Sequence, residues 1–130
     1  MAKILIVDDS ESFRNQMNLI LKDEHQVVEA VDGIDALNVL NNKNDFDLII
    51  CDINMPNMDG IVFCKKKFAN KLLEKIPVIM VTTESNIDIK NDLKNYGVKV
   101  WVLKPFESIS FKKGLELLLN KLVTDEQKSR

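Results

Sequence analysis

Four apolar runs in this chain each end on groups that can do chemistry. Ile4-Leu5-Ile6-Val7 stops at Asp8-Asp9, and Leu48-Ile49-Ile50-Cys51 stops at Asp52. Val78-Ile79-Met80-Val81 is followed by Thr82-Thr83-Glu84, and Val100-Trp101-Val102-Leu103 by Lys104-Pro105. A carboxylate that closes a segment built for burial is costly unless something pairs with it. Carboxylates gathered in one crevice raise one another's pKa and need a cation. An oxygen-rich set of this kind suits Mg²⁺. Lys104 would add a positive charge and Thr82 a hydroxyl. Such a set fits a phosphoryl group: a carboxylate can accept it as nucleophile, while a metal ion, an ammonium and a hydroxyl hold its oxygens.

The elements that must position these groups alternate along the chain. The apolar runs are of strand length and rich in Ile and Val; a weaker one is Val27-Val28 with Ala30-Val31. Each is apolar at consecutive positions, as expected of strands buried on both faces. Between them lie segments with helical spacing. Phe13, Met17, Ile20 and Leu21 share a face behind Ser10, a helix cap, and Ala36, Leu37 and Leu40 follow Gly33. Ile61, Cys64 and Phe68 follow Gly60, and Ile89, Leu93 and Tyr96 are stopped by Gly97. Phe111, Leu115, Leu118, Leu119 and Leu122 mark the last helix, with a polar tail over 124–130. Strict βα alternation predicts an α/β fold, a parallel sheet covered by helices on both faces. Ligands of such folds gather outside the carboxyl ends of the strands. With strands one and three adjacent, as in flavodoxin-like order, Asp8, Asp9 and Asp52 converge.

Composition narrows the function classes. The 130 residues fit one domain, and 18 Lys+Arg against 20 Asp+Glu give a net charge of −2. That balance predicts no nucleic-acid partner and no membrane partner. The N-terminal apolar run is too short for a signal-peptide core, so the expected location is the cytoplasm. The two cysteines, Cys51 and Cys64, sit in apolar surroundings and read as core thiols. No dinucleotide-binding or Walker A glycine pattern occurs. His25, the single histidine, reads as a solvated turn residue.

The stretches "ILIVDDS", "ICDINMPNMDG", "VIMVTTE" and "VLKPF" occur in that order. On these motifs the sequence resembles the receiver domain of two-component response regulators, and within that family the stand-alone, CheY-like chemotaxis regulators. The resemblance implies a flavodoxin-like, doubly wound five-stranded parallel sheet of order 2-1-3-4-5 with five helices. It spans a receiver domain over 1–123, with no output domain in the tail. It implies Asp52 as phosphoacceptor and Asp8 and Asp9 as the pair that binds Mg²⁺. Asn54 matches the position whose backbone carbonyl completes the metal shell. Thr82 and Lys104 match the hydroxyl and lysine that contact the phosphoryl group, and Pro105 the proline after that lysine. Trp101 takes the place of the switch aromatic, usually a smaller ring. Asn54 and Glu84 occupy the two positions that tune dephosphorylation, and Thr83 stands where a smaller residue is common.

The implied function is that of a monomeric signalling protein, not an enzyme in the ordinary sense, although aspartyl-phosphate autohydrolysis is expected. A histidine kinase or phosphotransfer protein would dock near Phe13, Arg14 and Met17. The target, implied by the chemotaxis resemblance, is a flagellar motor switch protein bound through the fourth helix, fifth strand and fifth helix. Roles as a phosphorelay intermediate or phosphate sink are the alternatives. A haloacid-dehalogenase-like phosphatase is disfavoured because Asn54 replaces the acid such enzymes need. A phosphorylation-independent adaptor is disfavoured because every site residue is present. The run Lys65-Lys66-Lys67 reads as a solvated helix face. Ile87, Tyr96 and Val98 are either partner-facing or scattered apolar surface.

Overall fold

In the computed structural model, the backbone is described for residues 1–128 and the side chains for 1–123. The order of elements is β1 (Lys3–Val7), α1 (Glu11–Leu21), β2 (Gln26–Ala30), α2 (Gly33–Asn42), β3 (Leu48–Cys51), α3 (Gly60–Ala69), β4 (Val78–Thr82), α4 (Ile87–Leu93), a 3₁₀ turn (Lys94–Tyr96), β5 (Val98–Leu103) and α5 (Ser108–Lys128). All neighbouring strands pair in parallel, in the order β2-β1-β3-β4-β5. The helix starts follow from short polar side chains that accept otherwise orphaned backbone N–H groups. Ser10 accepts from Phe13, Asp32 from Asp35, Asp59 from Val62 and Asn86 from Ile89. Gly97, at φ 85, ends the 3₁₀ turn in the left-handed region that favours glycine.

The consecutive apolar residues of the central strands serve two cores. Leu5, Val7, Ile49 and Cys51 pack on one side of the sheet with Leu40 and Phe63. Ile4, Ile6, Leu48 and Ile50 pack on the other with Met17, Leu21 and Leu115. Because successive side chains point to opposite faces, a strand covered on both sides must be apolar throughout.

Several expectations shift. β2 begins at Gln26 and ends before Val31, which is exposed. β5 begins two residues earlier than the apolar run and is an edge strand: only Val98 is buried, and Val100 and Leu103 are exposed. α5 extends to Lys128; the side chains of the polar tail expected at 124–130 lie outside the described residues.

Two polar residues contradict their readings. His25 is buried rather than solvated. Its Nδ1 accepts the Ala2 N–H at 3.0 Å, which leaves the proton on Nε2 for Glu116 Oε1 at 2.6 Å. It ties the chain start to α5. Lys67 is fully buried, while Lys66 beside it is exposed and Lys65 pairs with Asp92. The Lys67 ammonium donates to the Glu74 carbonyl at 3.1 Å. Burial pushes its pKa down from 10.5 to about 8, with Cys64 and Glu74 opposing and Lys99 adding to the drop. Between about 8 and 10.5 the unfolded chain binds the extra proton, so stability rises with pH across that window. Lys67→Met is therefore expected to stabilise the fold at pH 7 by about 1–2 kcal/mol, with the gain shrinking above pH 8. Denaturant titrations at pH 7 and pH 10 measure it; equal stability of the two proteins at pH 7 contradicts it.

Candidate functional site

The site is built where β1, β3 and β5 run one residue past their ends. β1 and β3 pair with Val7 opposite Cys51, so Asp8 and Asp52 are the next residues on neighbouring strands. The Asp52 N–H donates to the Val7 carbonyl at 3.0 Å, and the Asp8 N–H to the Ala30 carbonyl at 3.1 Å. On the other side, the Lys104 N–H donates to the Thr82 carbonyl at 2.8 Å. Regular backbone pairing thus delivers two carboxylates and a lysine to one rim.

Asp8 and Asp52 are buried and Asp9 is exposed, and an oxygen of each lies within 4.8 Å of the others. The Lys104 ammonium bridges the buried pair, 2.7 Å from Asp8 Oδ2 and 3.2 Å from Asp52 Oδ2. It also lies 4.1 Å from the centre of the Phe13 ring, a cation–π contact. The remaining carboxylate oxygens take backbone donors: Asp8 Oδ1 accepts the Ser10 N–H at 2.8 Å, and Asp52 Oδ1 the Ile53 N–H at 2.6 Å. Burial holds the Asp8 carboxyl above its ordinary range, although the bond to Lys104 pulls against it. Burial would lower the Lys104 pKa, but the bonds to Asp8 and Asp52 win and raise it. One cation for three acids leaves the rim with an excess of negative charge and an all-oxygen donor set.

The segment after β3 is fixed by close backbone packing. A Cβ at Gly60 would stand 2.1 Å from the Asp52 carbonyl oxygen, so only glycine fits. The Gly60 N–H returns to the Ile53 carbonyl at 2.8 Å. Asn57, at φ 66, donates its side-chain amide to Asp32 Oδ2 at 2.8 Å, and the Gly33 N–H reaches the Met58 carbonyl at 3.0 Å. Asp32, Asn57 and Gly33 therefore strap the loop that carries Asn54 to the start of α2. Asn54 itself is exposed.

Thr82 is buried, and its hydroxyl accepts the Glu84 N–H at 3.2 Å. The Glu84 carbonyl accepts the Trp101 indole N–H at 3.0 Å. Thr82 and Trp101 are thus linked through one residue, and Trp101 is half-buried against the β4 side of the core. Thr83 is exposed and lines a cavity of about 340 Å³ beside Lys104, together with Ser10, Phe13, Gln16 and Phe106. The Lys104–Pro105 peptide bond is cis.

The docking residues expected on α1 do not present themselves. Phe13 and Met17 are buried, the former against Phe106 at 6.2 Å between ring centres. Arg14 is engaged: its Nη1 donates to the Asp8 carbonyl at 2.9 Å and its Nε to Glu29 at 2.8 Å. It steadies the acidic turn from behind, a role that spacing alone could not reveal because it depends on Glu29 in β2.

Residues 4–116 match the family model for the response regulator receiver domain. The chain is 36% identical to chemotaxis protein CheY-3 of Vibrio cholerae over 92% of this chain and 93% of that protein. It is 38% identical to a CheY homolog of Campylobacter jejuni over 90% and 92% of the two chains. Among solved structures, CheY4 of Vibrio cholerae superposes with a TM-score of 0.81 at 38% identity, covering 89% of this chain and 97% of that one. A CheY-like receiver domain from Methanospirillum hungatei superposes at 0.87 with 25% identity, covering 96% and 98%. With four motifs, the sheet order and the acidic rim in agreement, the chain belongs to the response regulator receiver domain family and is a response regulator of CheY type.

Proposed function

We propose that this protein accepts a phosphoryl group from a phosphohistidine onto Asp52 and uses the modification to change a protein-binding surface. The observation that carries the reading is the Lys104 ammonium bonded to both Asp8 and Asp52, with Asp9 beside them. In the transfer, an Asp52 carboxylate oxygen forms a bond to phosphorus as the donor's N–P bond breaks, and the imidazole leaves with the electron pair. Lys104 then sits within reach of the oxygens that gain charge. Mg²⁺ fits the rim because Asp8, Asp9 and Asp52 offer an all-oxygen, net-negative set; the Asn54 carbonyl would complete it. When bound, the ion would neutralise carboxylate and phosphoryl charge together. Asp8 and Asp9 would hold it, while Arg14 fixes the Asp8 carbonyl and Phe13 covers one side of Lys104.

The signal leaves through Thr82. A phosphoryl group on Asp52 adds charge and acceptor oxygens for which the Thr82 hydroxyl is a donor. When that hydroxyl turns away from the Glu84 N–H, the peptide that holds the Trp101 indole is released to move. A tenfold population shift needs about 1.4 kcal/mol, within reach of one or two charge-assisted hydrogen bonds of about 1.5–3 kcal/mol each. The surface that responds is formed by α4, β5 and α5, where Ile87, Val100 and Leu103 are exposed. The chemotaxis relatives make a flagellar motor switch protein the favoured target and chemotaxis the favoured pathway, with the protein acting as a monomer inside the cell. Glu84 and Asn54 set the lifetime of the phosphorylated form by steering water.

A small acyl phosphate with Mg²⁺ is expected to add one phosphoryl group, seen by mass spectrometry and lost in Asp52→Asn. Beryllofluoride with Mg²⁺ should change Trp101 fluorescence in the parent protein and leave Asp52→Asn silent. Rapid turnover of phosphate esters would instead favour a phosphatase. Thr83→Ala, which opens the cavity beside Lys104, is expected to speed both phosphorylation and hydrolysis by up to about tenfold; unchanged rates contradict a gating role. Because the Asp8 pKa is raised on folding, its ionised form opposes the metal-free fold, and stability is lost as pH rises through the folded pKa. Asp8→Asn is accordingly expected to raise the metal-free Tm by a few degrees while abolishing stabilisation by Mg²⁺. Calorimetry with and without the ion decides it; a lower metal-free Tm contradicts the electrostatic reading.

A further inference from the structure

The rim opposite Asp52 carries a second concentration of charge. Residues 65–99 are rich in lysine and hold only Glu74, Glu84, Asp88 and Asp92 as acids, although the whole chain is net negative. At the amino ends of β4 and β5, beside the end of α3, lies a cavity of about 330 Å³ lined by Phe68, Glu74, Lys75, Lys94, Gly97 and Lys99. Lys65 is neutralised by Asp92 at 3.0 Å. Lys75, Lys94 and Lys99 enter no ion pair among the described residues.

Behind the cavity wall stands Lys67. Its ammonium is fully buried and donates to the Glu74 carbonyl, and it lies 3.3 Å from where a Cβ on Gly97 would be. Both contacts are to residues that line the cavity. Gly97, held at φ 85, leaves room for that ammonium in the cavity wall: a Cβ there would meet Lys67 Nζ, the Glu74 carbonyl and the Phe68 ring. A buried cation with a carbonyl but no carboxylate is expensive, and an anion next to it relieves the cost. Three lysines that line the cavity and enter no ion pair among the described residues, with the buried Lys67 behind its wall, form a cluster that the single lining carboxylate, Glu74, does not balance. Ammoniums act as compact point charges and match a group with several charged oxygens. The cavity volume lies at the low end of small-molecule sites.

We propose that this cavity binds a small phosphate-bearing anion, held by Lys75, Lys94 and Lys99 at the mouth and by Lys67 from behind. The site is separate from Asp52, at the other end of the sheet, and does not depend on the phosphoacceptor reading. It gives the buried Lys67 a use that the solvated-face reading of the lysine run lacks.

Inorganic pyrophosphate is the probe, titrated calorimetrically into the wild-type chain in EDTA, so that the acidic rim holds no divalent ion. Ionic strength is matched with potassium chloride. Saturable binding at one site with a Kd on the order of 0.1–1 mM is expected. Backbone amide shifts should cluster at residues 67–75 and 94–99. Asp52→Asn should bind equally well. The double variant Lys94→Glu with Lys99→Glu should weaken binding at least about tenfold, close to 1.4 kcal/mol. Lys67→Met, which is expected to fold, should weaken it as well. No saturation, undiminished binding in the double variant, loss in Asp52→Asn, or binding of an acidic peptide without binding of pyrophosphate overturns the proposal.

Discussion

The sharing of one ammonium by two buried carboxylates is the constraint around which this molecule is arranged. Asp8 and Asp52 lie just past the ends of neighbouring strands, and two buried carboxylates so placed repel each other unless a cation stands between them. Lys104 meets that need in the absence of metal, but it reaches the rim only because β5 lies beside β4 and its backbone continues the ladder to Thr82. The order of the strands is therefore an electrostatic requirement as much as a packing solution. A flatter or reordered sheet would leave the acids facing one another unpaired.

Rigidity around the rim comes from backbone fit rather than from many side-chain bonds. Gly60 lies so close to the Asp52 carbonyl that a methyl group has no room, and Asn57 holds a left-handed conformation secured by Asp32. Arg14 adds a third fixed point behind Asp8. Against this stiff half, the Thr82–Glu84–Trp101 chain is held by two ordinary hydrogen bonds of 3.2 and 3.0 Å. Each contributes on the order of 1 kcal/mol net, a range that a single new charge can overturn. On the proposed reading, the chemistry would fall to the fixed groups and the response to the weakly held ones.

Much of this was legible in the order of residues, for physical reasons. Runs apolar at consecutive positions specify strands covered on both faces, and the polar residue that ends each run specifies the rim. The edge strand read less well, since β5 buries little and its start at Val98 depends on the preceding left-handed glycine. What spacing could not show were the pairings made across the fold. His25 looks like a turn residue until Ala2 and Glu116 close on it from opposite ends of the chain. Phe13 looks like a surface contact until Lys104, ninety-one positions later, is found above its ring. Lys67 looks solvated because its neighbours are, yet helical geometry turns it inward while Lys66 faces out.

Lys67 and Lys104 also bear on each other as a comparison. Both ammoniums are withdrawn from water, Lys67 wholly and Lys104 in part, one at each end of the sheet. Lys104 has two carboxylates, and its pKa rises despite burial; Lys67 has a carbonyl, and its pKa falls to about 8. The same side chain in the same sheet thus responds in opposite directions, and the difference is whether an anion stands within bonding distance. At the acidic rim the fold supplies that anion itself. At the basic rim it supplies a cavity lined by three further lysines, and the unbalanced charge persists in the folded state. A buried cation bonded to a carbonyl alone weakens the fold at neutral pH, a cost that the anion proposed for the cavity would offset.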